Sequence, residues 1–222
     1  LADQLTKHGQ QFGAKLISGQ VKEIQNEEDE IKTIILKSGA SFSTKTIIVA
    51  TGTKERTLDL PRAEEFTGRG ISYCAVCDGF FYRNKKIAII GGGNSALEEA
   101  LYLASLASKV TIIIRRDEFR ADATVVDKVK ANEKIEIIVK HLPEQLEINE
   151  DRIVGLTVKN VETGELKSIE CSGIFPYIGA DPCTGFLNPK LLDDHGYILA
   201  NPDMSTAIKG IYAAGDCIRK DL

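Results

Sequence analysis

The most regular hydrophobic pattern in the chain is a pair of apolar runs separated by a helix-like segment. Residues 87–90 are apolar at every position, as in a strand buried on both faces of a sheet. Apolar side chains then recur at helical spacing, at Leu97, Ala100, Leu101 and Ala104. A second, mostly apolar run occupies residues 110–114. The pattern predicts a strand, a turn, a helix and a second strand.

Shorter segments before this unit predict one helix and several strands. The chain opens with an amphipathic helix that carries Ala2, Leu5 and Phe12 on one side. Three strands of a meander are predicted next, at residues 15–24, 31–36 and 45–50. The charged residues 26–30 form the turn between the first two strands. The polar residues 54–70 are interpreted as a linker into a second domain.

The second half of the chain predicts a helix and then more strands. The helix is predicted at residues 123–132. The strands are predicted at residues 135–140, 153–160, 166–171 and 173–178. The middle two strands are expected to form a hairpin that covers one face of the central domain. A last strand at residues 210–214 is expected to rejoin the first domain. The predicted domains are therefore residues 1–57 with 184–222, and an inserted domain of residues 58–183.

Composition narrows the class of protein. The chain has 222 residues, of which 43% are hydrophobic and 27% charged, as expected of a soluble α/β protein of one or two domains. It has no apolar run approaching ~20 residues and no recognisable signal peptide, so neither a membrane span nor secretion is expected. A net charge of -4 argues against nucleic acid as a partner. Five cysteines outside a disulfide framework suit the reducing cytoplasm.

A glycine-rich turn joins the first apolar strand to the helix. Gly91, Gly93 and Ala96 have the spacing of a dinucleotide-binding fingerprint. The first glycine permits a tight turn, the second lets the backbone approach a pyrophosphate, and the alanine permits close packing of helix and strand. A purely structural turn is the alternative. The strand, helix and second strand in the correct order favour a nucleotide site.

The second strand ends in a basic cluster formed by Arg115, Arg116 and Arg120. NAD sites usually place an acidic residue here to bind the ribose 2′-hydroxyl, whereas NADP sites supply arginine for the 2′-phosphate. The cluster therefore predicts NADPH as the nucleotide. An ordinary solvated basic cluster is the alternative, and the adjacent Asp117 would weaken the preference.

Cys74 and Cys77 form a C-x-x-C pair just before the nucleotide unit. A structural zinc site needs further ligands, and the three histidines are single and scattered, so no metal site is predicted. A reversible disulfide, in which one thiolate attacks and the other resolves, is the better interpretation. Asp78 follows directly. It is placed either to exchange a proton with a thiol or to lie in a solvated turn, and both possibilities stay open.

Three motifs together resemble a known family. They are Cys-Ala-x-Cys-Asp-Gly-Phe-Phe-Tyr-Arg-Asn at residues 74–84, Ile-Gly-Gly-Gly-Asn-Ser-Ala at residues 90–96 and Arg-Arg-Asp-x-Phe-Arg at residues 115–120. This succession closely resembles the low-molecular-weight thioredoxin reductases, over nearly the whole chain. The resemblance implies an α/β fold with two Rossmann-like nucleotide-binding domains, the NADPH domain being inserted into the FAD domain. It also implies a homodimer.

The resemblance also implies site residues and a partner. The redox pair would be Cys74 and Cys77, with Asp78 as the proton donor. The segments that contact FAD and NADPH would include Ala50, Thr51, Gly52, Gly215 and Asp216 for FAD, and Gly91, Gly93, Asn94, Ser95, Ala96, Arg115, Arg116 and Arg120 for NADPH. Electrons would pass from NADPH through FAD and the disulfide to thioredoxin or a thioredoxin-like protein.

Two other functions share these features. A reductase component of a peroxide-defence system would have the same cysteine pair and a different partner. A non-catalytic nucleotide-binding paralogue is the third possibility, against which the intact Cys74 and Cys77 argue.

The family's first glycine-rich turn, which grips the ADP half of FAD, is not found between residues 1 and 54. The helix expected to close the FAD domain would follow residue 222. The resemblance therefore implies an incomplete FAD domain. The expectation is that the 222-residue chain alone holds FAD weakly or not at all and is inactive, while its inserted domain could still bind NADPH.

Overall fold

The computed structural model describes residues 2–219, and the chain divides into two compact units. The first unit comprises Leu1–Lys54 and Asp181–Leu222, and the second comprises Glu55–Ala180. One unit is therefore inserted into the sequence of the other. The sequence placed both boundaries three residues further along the chain, after residues 57 and 183 rather than 54 and 180.

The described residues contain four α-helices and fourteen strands, numbered in chain order. The helices are α1 Ala2–Gln11, α2 Ala75–Asp78, α3 Asn94–Ala104 and α4 Ala123–Lys130. The strands are β1 Val21–Gln25, β2 Lys32–Leu36, β3 Ser41–Thr44, β4 Ile47–Val49, β5 Thr53–Glu55, β6 Lys86–Ile90, β7 Lys109–Ile113, β8 Ile135–Ile138, β9 His141–Asn149, β10 Arg152–Asn160, β11 Leu166–Glu170, β12 Ile174–Pro176, β13 Ala180–Pro182 and β14 Ile211–Ala213.

A four-stranded parallel sheet, in the order β12-β6-β7-β8, forms the centre of the second unit. Four of the five residues of β6 and of β7 are buried, which explains their nearly continuous apolar sequences. Helix α3 packs on the sheet through fully buried side chains that include Leu97 and Leu103. Burial of each contributes about 2 kcal/mol. The predicted strand, turn, helix and second strand are confirmed.

A three-stranded antiparallel sheet, in the order β9-β10-β11, completes the second unit. The hairpin of β10 and β11 was predicted, but the nine-residue strand β9 was not. Pro143 and several charged residues interrupt its apolar pattern, and proline usually argues against a paired strand. The sheet accommodates this proline at a register shift, where it lies opposite Val158.

The prediction of a linker at residues 54–70 is wrong. Leu58, Ala63 and Phe66 are buried in the core of the second unit, and Phe66 is fully inaccessible. The apolar residues of this segment recur with neither the period of a helix nor that of a strand. The segment instead makes one 3₁₀ turn at Ala63–Phe66, which turns Phe66 inward, between the guanidinium groups of Arg62 and Arg69.

The first unit contains the predicted meander in a different arrangement. Strands β1, β2 and β3 pair in order, so β3, which was not predicted, takes the third position. Residues 15–20, predicted as strand, lie outside any strand. Strand β4 instead pairs in parallel with β14, and this pairing confirms the predicted return of the last strand to the first domain.

No helix within residues 2–219 has the length and apolar character needed to cross a bilayer. In the same residues, no group of three or more His, Cys, Asp and Glu side chains is arranged to hold a metal ion.

Helix α1 was predicted correctly. Leu5 on this helix and Phe12 just after it are largely exposed.

Candidate functional site: a disulfide and a glycine-lined cavity in one unit

Cys74 and Cys77 form a disulfide, with 5.3 Å between their Cα atoms. Cys74 is the N-cap residue of the one-turn helix α2, so the two sulfur atoms lie at the start of this helix. The Cys77 N–H donates to Cys74 Sγ at 3.1 Å. Cys77 is exposed and Cys74 half-buried, so a partner can reach the bond from solvent.

The carboxylate of Asp78 is held next to the disulfide by Ser72. The Ser72 hydroxyl donates to Asp78 Oδ2 at 2.6 Å and accepts from the Cys74 N–H at 3.2 Å. Ser72 is only 3% exposed. Asp78 is therefore an anchored, half-buried group rather than a freely solvated one. A single serine carries no recognisable pattern, so sequence reasoning did not identify Ser72.

The segment that carries the disulfide also carries three exposed apolar side chains, called here the apolar rim. Val76, Phe80 and Phe81 are each more than 65% exposed, although all three are large hydrophobic side chains. Tyr82 differs from them, because it is buried and stacks edge-to-face on Phe175 at 5.1 Å. Large apolar side chains that stay exposed are typical of surfaces that bind another protein.

Three free cysteines lie away from the disulfide. Cys171 and Cys217 are buried, and Cys183 is exposed. Burial, and to a lesser extent the nearby Glu147, raises the pKa of the Cys171 thiol to about 12. The thiolate is the reactive form, so Cys171 is inert near neutral pH.

Iodoacetamide at pH 8 is therefore expected to modify Cys183 in the oxidised native protein and to leave Cys171 unmodified. With a pKa of about 12, only roughly one part in ten thousand of the Cys171 thiol is ionised at that pH. Peptide mass spectrometry measures both sites, and denaturation before alkylation serves as the control. Equal rates at the two cysteines in the native protein would show that Cys171 is not buried as described.

The glycine-rich turn between β6 and α3 has no room for a side chain at Gly91. Gly91 has a φ of +136°, and a Cβ placed on it would lie 2.2 Å from the carbonyl oxygen of Tyr177. The same Cβ would lie 3.4 Å from the buried Cβ of Ala96, so these two residues set the close approach of helix and strand. Gly93 is the N-cap residue of α3. The turn thus leaves the backbone N–H groups of the helix start accessible to a phosphate.

Gly91→Ala is expected to lower the free energy of unfolding by about 3 kcal/mol, because overpacking and a positive φ both oppose the new methyl group. Thermal denaturation measures the loss. Gly164→Ala is the matched control, since Gly164 also has a positive φ, of +74°, but has no atom within 4 Å of the position that a Cβ would take. The control should lose only the ~1–2 kcal/mol that the backbone conformation costs. Equal losses in the two variants would contradict the proposed close packing.

The glycine turn and the arginine cluster line one cavity of about 550 Å³ within the second unit. Arg115, Arg116 and Arg120 are exposed along the loop that follows β7. In the described part of the chain, their guanidinium groups make no hydrogen bond or ion pair. The other lining residues include Arg56, Thr57, Leu58, Asp59, His141, Leu142, Pro143, Tyr177 and Ile178. The cavity has the size of a small-molecule site with unpaired cations at one end.

Tyr177 lines this cavity beside the glycine turn and was not identified from the sequence. Burial, with a smaller contribution from the nearby Glu99, raises the pKa of its phenol above the usual range. Burial likewise raises the pKa of Glu99, to which Glu98 adds. Tyr177 therefore stays protonated at physiological pH and keeps its capacity to donate a hydrogen bond.

The predicted FAD-contacting residues follow two neighbouring parallel strands in the first unit. Ala50, Thr51 and Gly52 come directly after β4, and Gly215 and Asp216 come shortly after β14. Parallel strands end at the same edge of a sheet, where ligands of α/β folds bind. Gly52 and Gly215 have positive φ angles of 65° and 80°, with open space around both. The backbone here is open to a close approach by a ligand.

The model of the pyridine nucleotide-disulphide oxidoreductase family matches residues 3–222. Among curated proteins, the thioredoxin reductase of Listeria monocytogenes is 38% identical, over 100% of this chain and 69% of the relative. The thioredoxin reductase of Rickettsia felis is 37% identical, over 97% of this chain and 71% of the relative.

Solved structures give the same result. The thioredoxin reductase of Lactococcus lactis is 41% identical with a TM-score of 0.81, and the match covers 96% of this chain and 70% of that chain. The thioredoxin reductase of Streptococcus pyogenes is 38% identical with a TM-score of 0.77, and the match covers 100% of this chain and 72% of that chain.

Proposed function

Because the chain belongs to the pyridine nucleotide-disulphide oxidoreductase family and resembles its thioredoxin reductases, which bind FAD and use NADPH, we propose that it reduces thioredoxin through the Cys74–Cys77 disulfide. One observation carries this proposal: a solvent-accessible disulfide lies in the same compact unit as a nucleotide cavity with three unpaired arginines. The redox-active disulfide and the proposed NADPH site are thus parts of the same unit.

The residues of the second unit fit NADPH. Gly91 and Gly93 leave the start of α3 open to the pyrophosphate. Arg115, Arg116 and Arg120 supply charge-assisted hydrogen bonds for the 2′-phosphate, and no acidic residue stands at the position that binds the ribose in NAD sites. The shape and the charge of the cavity both support this nucleotide.

The residues of the first unit fit the edge of a flavin nucleotide. Residues 50–52 and 215–216 offer two neighbouring strand ends with open backbone, which can donate hydrogen bonds to ligand oxygens. FAD held by these residues would supply the redox chemistry that links NADPH to a disulfide.

The second unit then performs the thiol chemistry. Two electrons and two protons convert the Cys74–Cys77 disulfide into two thiols, and Asp78 exchanges one of these protons. A thiolate attacks the disulfide of thioredoxin, which breaks the S–S bond and forms a mixed disulfide. The second cysteine attacks this mixed disulfide, so the partner leaves as a dithiol and the Cys74–Cys77 bond reforms.

The apolar rim supports a protein rather than a small disulfide as the substrate. Val76, Phe80 and Phe81 are exposed around the bond, and a protein partner would bury them. The unpaired Cys171, Cys183 and Cys217 support action in the reducing cytoplasm.

We further propose that the protein is a homodimer, because of the family resemblance. Analytical ultracentrifugation measures the mass of the assembly.

A coupled assay tests the function. NADPH oxidation at 340 nm is followed in the full-length, FAD-loaded holoenzyme with oxidised thioredoxin, and new thioredoxin thiols are counted. The proposal requires turnover that depends on thioredoxin, with one dithiol formed for each NADPH consumed. If a disulfide-containing peroxidase supports turnover and thioredoxin does not, the protein belongs instead to a peroxide-defence system.

A further inference from the structure

The segment that follows β7 and carries Arg115, Arg116 and Arg120, residues 114–122, is called here the arginine loop. The side chain of Asn94 connects the glycine turn to the C-terminal end of this loop. Asn94 is the first residue of α3, and its Oδ1 accepts a hydrogen bond from the backbone N–H of Asp122 at 2.8 Å. Its Nδ2 also donates to Asp122 Oδ2, at a longer 3.4 Å. The two residues are 28 positions apart, so this contact exists only in the folded unit.

The arginine loop is fastened at both of its ends. At the start, Ile114 donates to the carbonyl of Ile138 at 2.9 Å, and the carbonyl of Arg116 accepts from Lys140 at 3.0 Å. At the end, the Arg120 N–H donates to the carbonyl of Gly92 at 2.7 Å. The bond to Asn94 follows two residues later. Gly92 and Asn94 together attach the end of the loop to the turn that faces the pyrophosphate.

We propose that Asn94 is a positioning residue for NADPH specificity: it fixes Arg120 relative to the phosphate-binding turn by holding the backbone of Asp122. The inference rests on the proposed function, because it takes NADPH as the ligand. The 2′-phosphate and the pyrophosphate belong to one molecule, so both groups must be met at a fixed separation. A loop held in place before binding recognises both without an ordering cost.

The proposal gives different roles to the backbone and the side chain of Asp122. Its N–H makes the short bond, whereas its carboxylate makes only the long one. Asp122 precedes α4 with a φ of -60°, a value that proline also adopts, and its side chain caps no N–H of that helix. Asp122→Pro therefore removes the N–H at a φ that proline adopts, and its ring takes the position that the Asn94 oxygen faces. Asp122→Ala removes the carboxylate and leaves the N–H in place.

The experiment compares four variants by isothermal titration with NADPH, NADH, 2′,5′-ADP and 5′-ADP. Asn94→Ala and Asp122→Pro are each expected to weaken NADPH and 2′,5′-ADP about fivefold, as expected for one lost hydrogen bond. NADH and 5′-ADP should be weakened by a clearly smaller factor than NADPH and 2′,5′-ADP, since they lack the 2′-phosphate that Arg120 would bind. Asp122→Ala should retain nearly the full preference.

Asn132→Ala is the matched control. Asn132 Oδ1 accepts from the Lys134 N–H at 3.0 Å, a bond of the same kind elsewhere in the second unit. Its loss should leave the ratio of the two nucleotide affinities unchanged. Retained NADH binding in Asn94→Ala and Asp122→Pro shows that these variants are folded.

The outcomes separate the inference from the proposed function. An NADPH preference in the unmutated protein that both Asn94→Ala and Asp122→Pro leave intact would overturn the role of Asn94 only. Equal weakening of NADPH and NADH would also overturn it, because it would show a general structural role. An unmutated protein that binds both nucleotides equally would overturn the proposed NADPH site as well.

Discussion

Cys74→Ser is expected to lower thioredoxin reduction more than about a hundredfold, because a single thiol cannot form the intramolecular disulfide that carries two electrons to the partner. The same loss is expected for Cys77→Ser. The rate of thioredoxin-dependent NADPH oxidation in the FAD-loaded protein measures the effect. Titration of NADPH on the same variants should give an unchanged affinity, since neither cysteine lines the nucleotide cavity.

Cys183→Ser is the matched control for this prediction. Cys183 is a free, exposed thiol in the first unit, whereas the disulfide lies in the second. The control should keep full activity. If either variant of the pair still reduced thioredoxin at a rate near that of the unmutated protein, the assignment of the redox pair would be wrong.

Arg115→Ala combined with Arg120→Ala is expected to weaken NADPH binding on the order of a hundredfold and to leave NADH nearly unchanged. Each guanidinium group that bonds the 2′-phosphate contributes ~1.5 kcal/mol or more, so two contribute ~3 kcal/mol. Isothermal titration with both nucleotides measures the difference. The preference should also decrease at high salt, since both side chains are exposed.

Arg152→Ala is a suitable control, because Arg152 is an exposed arginine of the same unit that does not line the cavity. Asp117 was expected to weaken the NADPH preference. In the structure it lies near Lys140, whose pKa is raised chiefly by a hydrogen bond with Glu162 and in smaller part by Asp117. Comparable affinities of the unmutated protein for NADPH and NADH would refute the nucleotide assignment.

The sequence correctly predicted the elements in which the apolar residues coincide with the buried positions. Strand β6 is apolar because both its faces are covered, and α3 has apolar residues where it meets the sheet. Strand β9 was missed because Pro143 breaks the pattern, and its pairing depends on a register shift opposite β10. Residues 15–20 have the composition of a strand but lack a partner strand within the described chain.

The candidate site also contains residues that the sequence identified and residues that it did not. Cys74 and Cys77 are three positions apart, so their disulfide can be predicted from their spacing in the sequence. The glycine turn is also recognisable from the spacing of its residues. Ser72 and the contact of Asn94 with Asp122 leave no such trace. Each depends on which backbone and side-chain groups the fold brings together, and a single serine or asparagine carries no information about that.

The most direct test of the central claim follows the electrons from NADPH to the cysteine pair. The FAD-loaded protein is given one equivalent of NADPH without oxygen or thioredoxin, alkylated, and analysed by peptide mass spectrometry. Cys74 and Cys77 should both become alkylated in proportion to the NADPH oxidised, while the buried Cys171 and Cys217 stay unmodified. Oxidation of NADPH with the Cys74–Cys77 disulfide still intact would contradict the account.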